Sequence, residues 1–129
     1  MAIELGNKGQ HELTVTPDIA VHFMENAGAR VLGTPYLIYN LEIAGRNLVL
    51  PKLDPGFDTV GTLVEVRHLA ATPIGMKVTF HAEVIGHEGR MVRFKVEAFD
   101  EREKIAEGTH ERFIVNIERF SAKVEAKLQ

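Results

Sequence analysis

Residues Thr34 to Leu50 read TPYLIYNLEIAGRNLVL, the one long run in the chain with helical periodicity. Threonine followed by proline marks a helix start. Thr34 is a good N-cap, and proline suits the first helical position because its missing N–H would go unpaired there anyway. On a helical wheel Leu37, Ile38, Leu41, Gly45, Leu48 and Val49 fall within an arc of about 120°. Glu42 lies at the rim of that arc and Arg46 just beyond it. The helix is expected to end near Pro51, and PKLDPGF reads as a loop.

Beyond the loop the period changes to two. From Asp58 onward, Val60, Val64, Val66, His68 and Ala70 share one face, with Glu65 and Arg67 opposite. After a TPIG turn, Met76, Val78, Phe80, Ala82 and Val84 alternate with polar residues. GHEGR is a hairpin loop, Val92, Phe94 and Val96 continue the pattern, and DEREK is a charged turn. The last long strand, IAEGTHERFIVNI, holds Gly108, which predicts a bulge that changes which residues face inward. An amphipathic helix is expected over 119–128. Before the central helix, 10–16 reads as a short strand. Pro17 then opens a short helix through Ile19, Phe23 and Met24 that Gly28 would close.

One face of such a sheet is apolar and needs cover, and only the 34–50 helix is long enough to supply it. The chain therefore reads as one α+β domain, residues 1–129, with a curved antiparallel sheet wrapped on a long central helix. Unpaired sheet edges invite association, so a homodimer, or a tetramer built on it, is expected.

Composition narrows the partners. A net charge of −3 with scattered Lys and Arg argues against nucleic acid, which needs a positive field. No Trp, seven Phe and two Tyr leave little for base stacking. No apolar run approaches the roughly 20 residues that span a bilayer, and MAIELGNKGQ lacks the basic and apolar regions of a secretory signal. Without cysteine there is no disulfide, thiolate nucleophile or thiolate-held metal, and the histidines lack metal-ligand spacing. A cytoplasmic protein needing no metal or cofactor is expected.

Three residues could carry chemistry. His68 lies on the apolar strand face and points at the helix: it is either a satisfied core histidine or a general acid–base titrating near neutrality. Glu42 is either the partner of Arg46, four residues on, or a partly desolvated carboxylate at the core's rim. Thr34 caps the helix, yet its hydroxyl could act as a nucleophile given a base, and the helix N-terminus could hold an oxyanion. His110, in GTHER, is harder to set aside than the remaining histidines, because a bulge at Gly108 could turn it or Arg112 inward.

The segments VRHLAATPIGMKVTFHAEV and EGTHERFIVNIERFSAKV resemble the hotdog-fold acyl-CoA thioesterases, most closely the fluoroacetyl-CoA thioesterase-like branch. The resemblance runs from about Val31 to Lys127, and HxAATPxG together with GTHER is fairly specific to that branch. It implies the hotdog fold, usually dimeric, an acyl-CoA substrate, and hydrolysis to free acid and CoA. It places catalytic roles on Thr34, Glu42 and His68, and an acyl pocket at Gly61 and Arg112. Where the fluoroacetyl-selective type has a bulky aromatic lid ahead of the threonine, this chain has NAGAR, with Gly28 in the aromatic's place. That departure favours a different small or medium acyl group. A non-catalytic hotdog module that binds acyl-CoA is the alternative. Arg67, Lys77, Arg90 and Arg93 are all candidates for the CoA phosphates.

Overall fold

A computed structural model describes residues 3–22 and 29–129. Five strands form one antiparallel sheet: β1 (Lys8–Thr14), β2 (Phe57–His68), β3 (Lys77–Glu88), β4 (Met91–Phe99) and β5 (Lys104–Asn116), in the order β1-β3-β4-β5-β2. Helix α1 (Thr34–Val49) crosses the inner face, and α2 (Ile117–Glu125) closes the chain. This is the α+β hotdog architecture, with β1 and β2 as the sheet's edges.

The core forms where the period-two faces of β3 and β4 meet α1. Val78, Phe80, Ala82 and Val84 on β3, and Val92, Phe94, Val96 and Ala98 on β4, are all buried. They pack under Leu37, Leu41, Ala44 and Val49 of α1. Truncating either buried phenylalanine to alanine costs about 3–5 kcal/mol at such sites. The buried stripe of α1 also includes Asn40, whose Oδ1 accepts from His11 Nε2 at 2.8 Å and whose Nδ2 donates to Tyr36 O at 2.7 Å.

Four expectations need correction. The N-cap of α1 is Gly33, and Thr34 is the first helical residue with no side-chain cap bond; its hydroxyl is engaged elsewhere. The segment opened by Pro17 forms only a 3-10 turn, Pro17–Ile19, and its expected continuation through Phe23, Met24 and Gly28 lies outside the described residues.

The bulge is not at Gly108, which pairs in register with both Val66 and Val96; it lies in β2, where the pairing with β5 shifts between Gly61 and Leu63. Gly108 is glycine for a different reason. A Cβ there would run into the backbone of Glu65 and Val66. Because of the β2 bulge, Thr59 and Gly61 face inward before it and Val64, Val66 and His68 after it. Val60 thus lies on the outer face, apart from the residues it was grouped with.

Candidate active site

Thr34 and His68 come together at the exposed start of α1. Thr34 Oγ1 lies 2.8 Å from His68 Nδ1. Thr72, in the AATP segment after β2, holds the two parts of the chain in place. Its carbonyl accepts from Leu32 N at 2.8 Å, just ahead of Thr34. Its buried hydroxyl donates to Asp100 Oδ2 at 2.9 Å, and Leu69 N, next to His68, donates to Ile105 O at 2.7 Å. The local chemistry of HLAATP is thus a clamp that presents His68 to Thr34.

Burial lowers the pKa of His68, and the Ala70 backbone offsets part of that effect. The imidazole is therefore neutral near pH 7 and able to take a proton. With Nδ1 accepting from the Thr34 hydroxyl, Nε2 carries the ring proton. Nε2 is buried and has no hydrogen-bond partner among the described residues.

At the helix start, Pro35 has no N–H, and the Tyr36 and Leu37 N–H groups both donate to Gly33 O, at 3.1 and 3.0 Å. Of the first four backbone groups only the Thr34 N–H is without a partner among the described residues and remains for an oxyanion.

Glu42 belongs to a second cluster. Both Thr34 and Glu42 lie in one regular helix, and eight residues of helix span about 12 Å. Glu42 Oε1 accepts from Arg112 Nη1 at 3.4 Å. Arg46 is not its partner: it forms a two-point ion pair with Asp58, at 2.9 and 2.6 Å. That pair raises the Arg46 pKa and lowers that of Asp58.

Arg112 is buried, and every face of its guanidinium is used. It donates from Nε to Thr59 Oγ1 at 2.7 Å and from Nη2 to Thr59 O at 2.9 Å. Nη1 donates to His110 Nε2 at 3.1 Å. His110 is fully buried, and its Nδ1 donates to Leu63 O at 2.8 Å, which fixes the tautomer and leaves Nε2 to accept from Arg112. Burial, with Arg112 as a further cause, pushes the His110 pKa down. The ring stacks on Phe94, with centroids 5.9 Å apart.

Gly61 fits against this cluster because it lacks a side chain. A Cβ there would collide with Glu42 Oε1 and lie 3.3 Å from His110 Cε1. Of the residues named from the sequence, Thr34 and His68 meet, and Glu42, Gly61 and Arg112 meet, in two separate groups within one protomer. His110 and Thr59 complete the second group. The sequence sets His110 apart within GTHER without giving it a role, and it shares a strand face with Arg112; nothing local pointed to Thr59.

The fold and the thioester chemistry are shared with known proteins. A hypothetical protein of Thermus thermophilus, described as a thioesterase superfamily member, superposes with a TM-score of 0.88 at 33% identity, over 97% of this chain and 93% of that one. The class is therefore the hotdog-fold thioesterases. A family model described as fluoroacetyl-CoA-specific thioesterase matches residues 15–118. The fluoroacetyl-CoA thioesterase of Streptantibioticus cattleyicolor is 34% identical over 131 residues, covering 97% of this chain and 94% of that protein. A solved structure of the fluoroacetyl-CoA thioesterase FlK superposes with a TM-score of 0.91 at 33% identity, over 98% of both chains. This chain belongs to the fluoroacetyl-CoA-specific thioesterase family. Gly28, expected from the resemblance to replace an aromatic lid, lies outside the described residues.

Proposed function

We propose that the protein hydrolyses the thioester of a small or medium acyl-CoA, and that it does so as a homodimer whose sites each draw on both subunits. The observation that carries the chemistry is the 2.8 Å contact between Thr34 Oγ1 and His68 Nδ1 at an exposed helix start. A hydroxyl against a neutral imidazole is a nucleophile with its base. Thr34 Oγ, or a water held in its place, attacks the acyl carbonyl while His68 Nδ1 takes the proton. The Thr34 N–H lies where the developing oxyanion can be held. Collapse of the adduct expels CoA thiolate, which His68 reprotonates, and if Thr34 was the nucleophile a water then frees the acid.

Glu42 enters from the partner. β2 is an edge strand with exposed Leu63, and Leu69 lies just past its end, a combination that invites pairing with a second copy. Two β2 strands can run antiparallel with His68 opposite Gly61 of the partner subunit, if Thr62 is passed over as it is in the pairing with β5. Val64 and Val66 then also fall opposite each other, so every inward residue meets an inward residue. In that register the orphaned His68 Nε2–H faces Glu42 of the partner subunit, because Glu42 lies directly against Gly61. A carboxylate there would hold the imidazole's tautomer and stabilise its protonated form. Gly61 and Arg112 of that same subunit would border the acyl group.

A cytoplasmic location fits a substrate carried on CoA, and no described helix is long and apolar enough to cross a membrane. The reading is tested by following free-thiol release across acyl-CoAs of increasing chain length, fluoroacetyl-CoA included. Saturable release on short or medium acyl groups is expected. Binding without release above background across the whole panel would favour the non-catalytic module.

A further inference from the structure

A second feature lies on the outer face of the sheet. A groove of about 460 Å³ runs between α2 and the turn joining β3 to β4. Four cations line it: Arg90 from that turn, and Arg119, Lys123 and Lys127 from α2 and the turn after it. Phe113 and Phe120, 41% and 39% exposed, form an aromatic floor.

Among the described residues none of these four cations is in an ion pair, whereas Arg46, Arg93, Lys95, Lys104 and Arg112 all are. Lysines in the last turn of a helix answer its dipole, which accounts for Lys123. The dipole does not account for Arg119 in the first turn, nor for Arg90, which reaches the groove from a different element. Such a concentration is unexpected on a chain of net charge −3.

We propose that this groove holds the phosphorylated adenosine end of CoA, with phosphates on the cations and the base against the phenylalanine rings. The proposal rests on the thioesterase reading above. Clustered cations beside exposed aromatic faces match an anion that carries a planar base. The groove is concave and flanked by two elements, which suits a compact nucleotide better than the plane of a bilayer.

Its position also fits the substrate's length. Val60 and Thr62 line the groove, and between them sits Gly61, whose inner side lies against Glu42. Groove and acyl site are thus opposite faces of one edge strand. In the β2 pairing described above, the partner's strand ends at His68, opposite Gly61. The edge at Val60 is then left open for the pantetheine arm to pass from one face to the other.

The test compares wild type with the R119A/K123A/K127A variant, whose changes are all on an exposed helix and turn. Each is assayed on an acyl-CoA and on the same acyl group carried by pantetheine, which lacks the nucleotide. For the variant, KM on acyl-CoA should rise about tenfold, as three exposed phosphate contacts are lost, with kcat and all pantetheine kinetics unchanged. Calorimetry with adenosine 3′,5′-bisphosphate should show binding to wild type and none to the variant. An unchanged KM on acyl-CoA overturns the proposal. So does a variant that changes oligomeric state while keeping its KM, which would make the groove an interface between copies. Failure of wild type to turn over either substrate refutes the thioesterase reading, while the bisphosphate measurement still judges the groove.

Discussion

Thr34 Oγ1 and His68 Nδ1 are 2.8 Å apart although 34 residues separate them. The contact exists because Thr72 ties the strand end that carries His68 to the segment leading into α1. It follows that Thr34→Ala removes the group that His68 acts on. The kcat for thiol release should fall by about 10²–10⁴-fold, the usual contribution of a positioned acid–base partner, with thermal stability little changed because the Thr34 side chain is exposed and caps nothing.

The clamp itself is testable. Thr72→Val keeps the shape but leaves the Asp100 carboxylate without the hydroxyl that donates to it. A loss of about 1–3 kcal/mol in urea unfolding is expected, together with a lower kcat as His68 loses its fixed position.

The pH dependence follows from burial. His68 must be neutral to accept a proton, and burial lowers its pKa in the folded protein. Burial alone would put the acid limb of kcat/KM below the ordinary imidazole value of about 6.5, while a carboxylate from the partner subunit works against it, so Glu42→Gln should move that limb to lower pH than in wild type. For stability the buried group is His110. The unfolded chain protonates His110 before the folded one does, so its contribution is intact above about pH 6.5 and is lost as pH falls through the folded value. His110→Gln should reduce that acid-side loss of stability in urea titrations across pH.

Gly61 separates backbone convenience from function. A Cβ there collides with the Glu42 carboxylate. Gly61→Ala should drop kcat/KM by at least about tenfold while leaving stability nearly unchanged, because the displaced atom is the end of a flexible, partly exposed side chain that can swing aside. Alanine at an ordinary strand position would leave the kinetics unchanged too. Steady-state kinetics and urea unfolding of the one variant check both halves.

Much of this was legible in the sequence where local rules act. The span of α1, the alternation of β3 and β4, and the inward aim of His68 all follow from periodicity. What could not be read arises from contacts made at a distance. Thr34 looks like a cap because Thr-Pro is a cap pattern, but Gly33 takes that place and the hydroxyl turns to a residue brought in by the sheet. Arg46 suits Glu42 by helical spacing, yet Asp58 on β2 offers two-point pairing that an i, i+4 partner cannot match. The bulge was expected at the glycine inside β5 and is instead at Thr62 on the neighbouring strand, since a glycine can serve a bulge or a close backbone approach and its sequence context does not say which.

The division of Thr34–His68 from Glu42–Arg112 within one protomer is the feature on which the account turns. The most direct measurement mixes a Thr34→Ala chain with a Glu42→Ala chain, each inactive alone, and assays the re-formed dimers. If each site takes Thr34 and His68 from one subunit and Glu42 from the other, every mixed dimer carries one intact site, and activity should return to about one quarter of wild type in a random mixture. Mixed dimers that form and remain inactive would contradict the shared site.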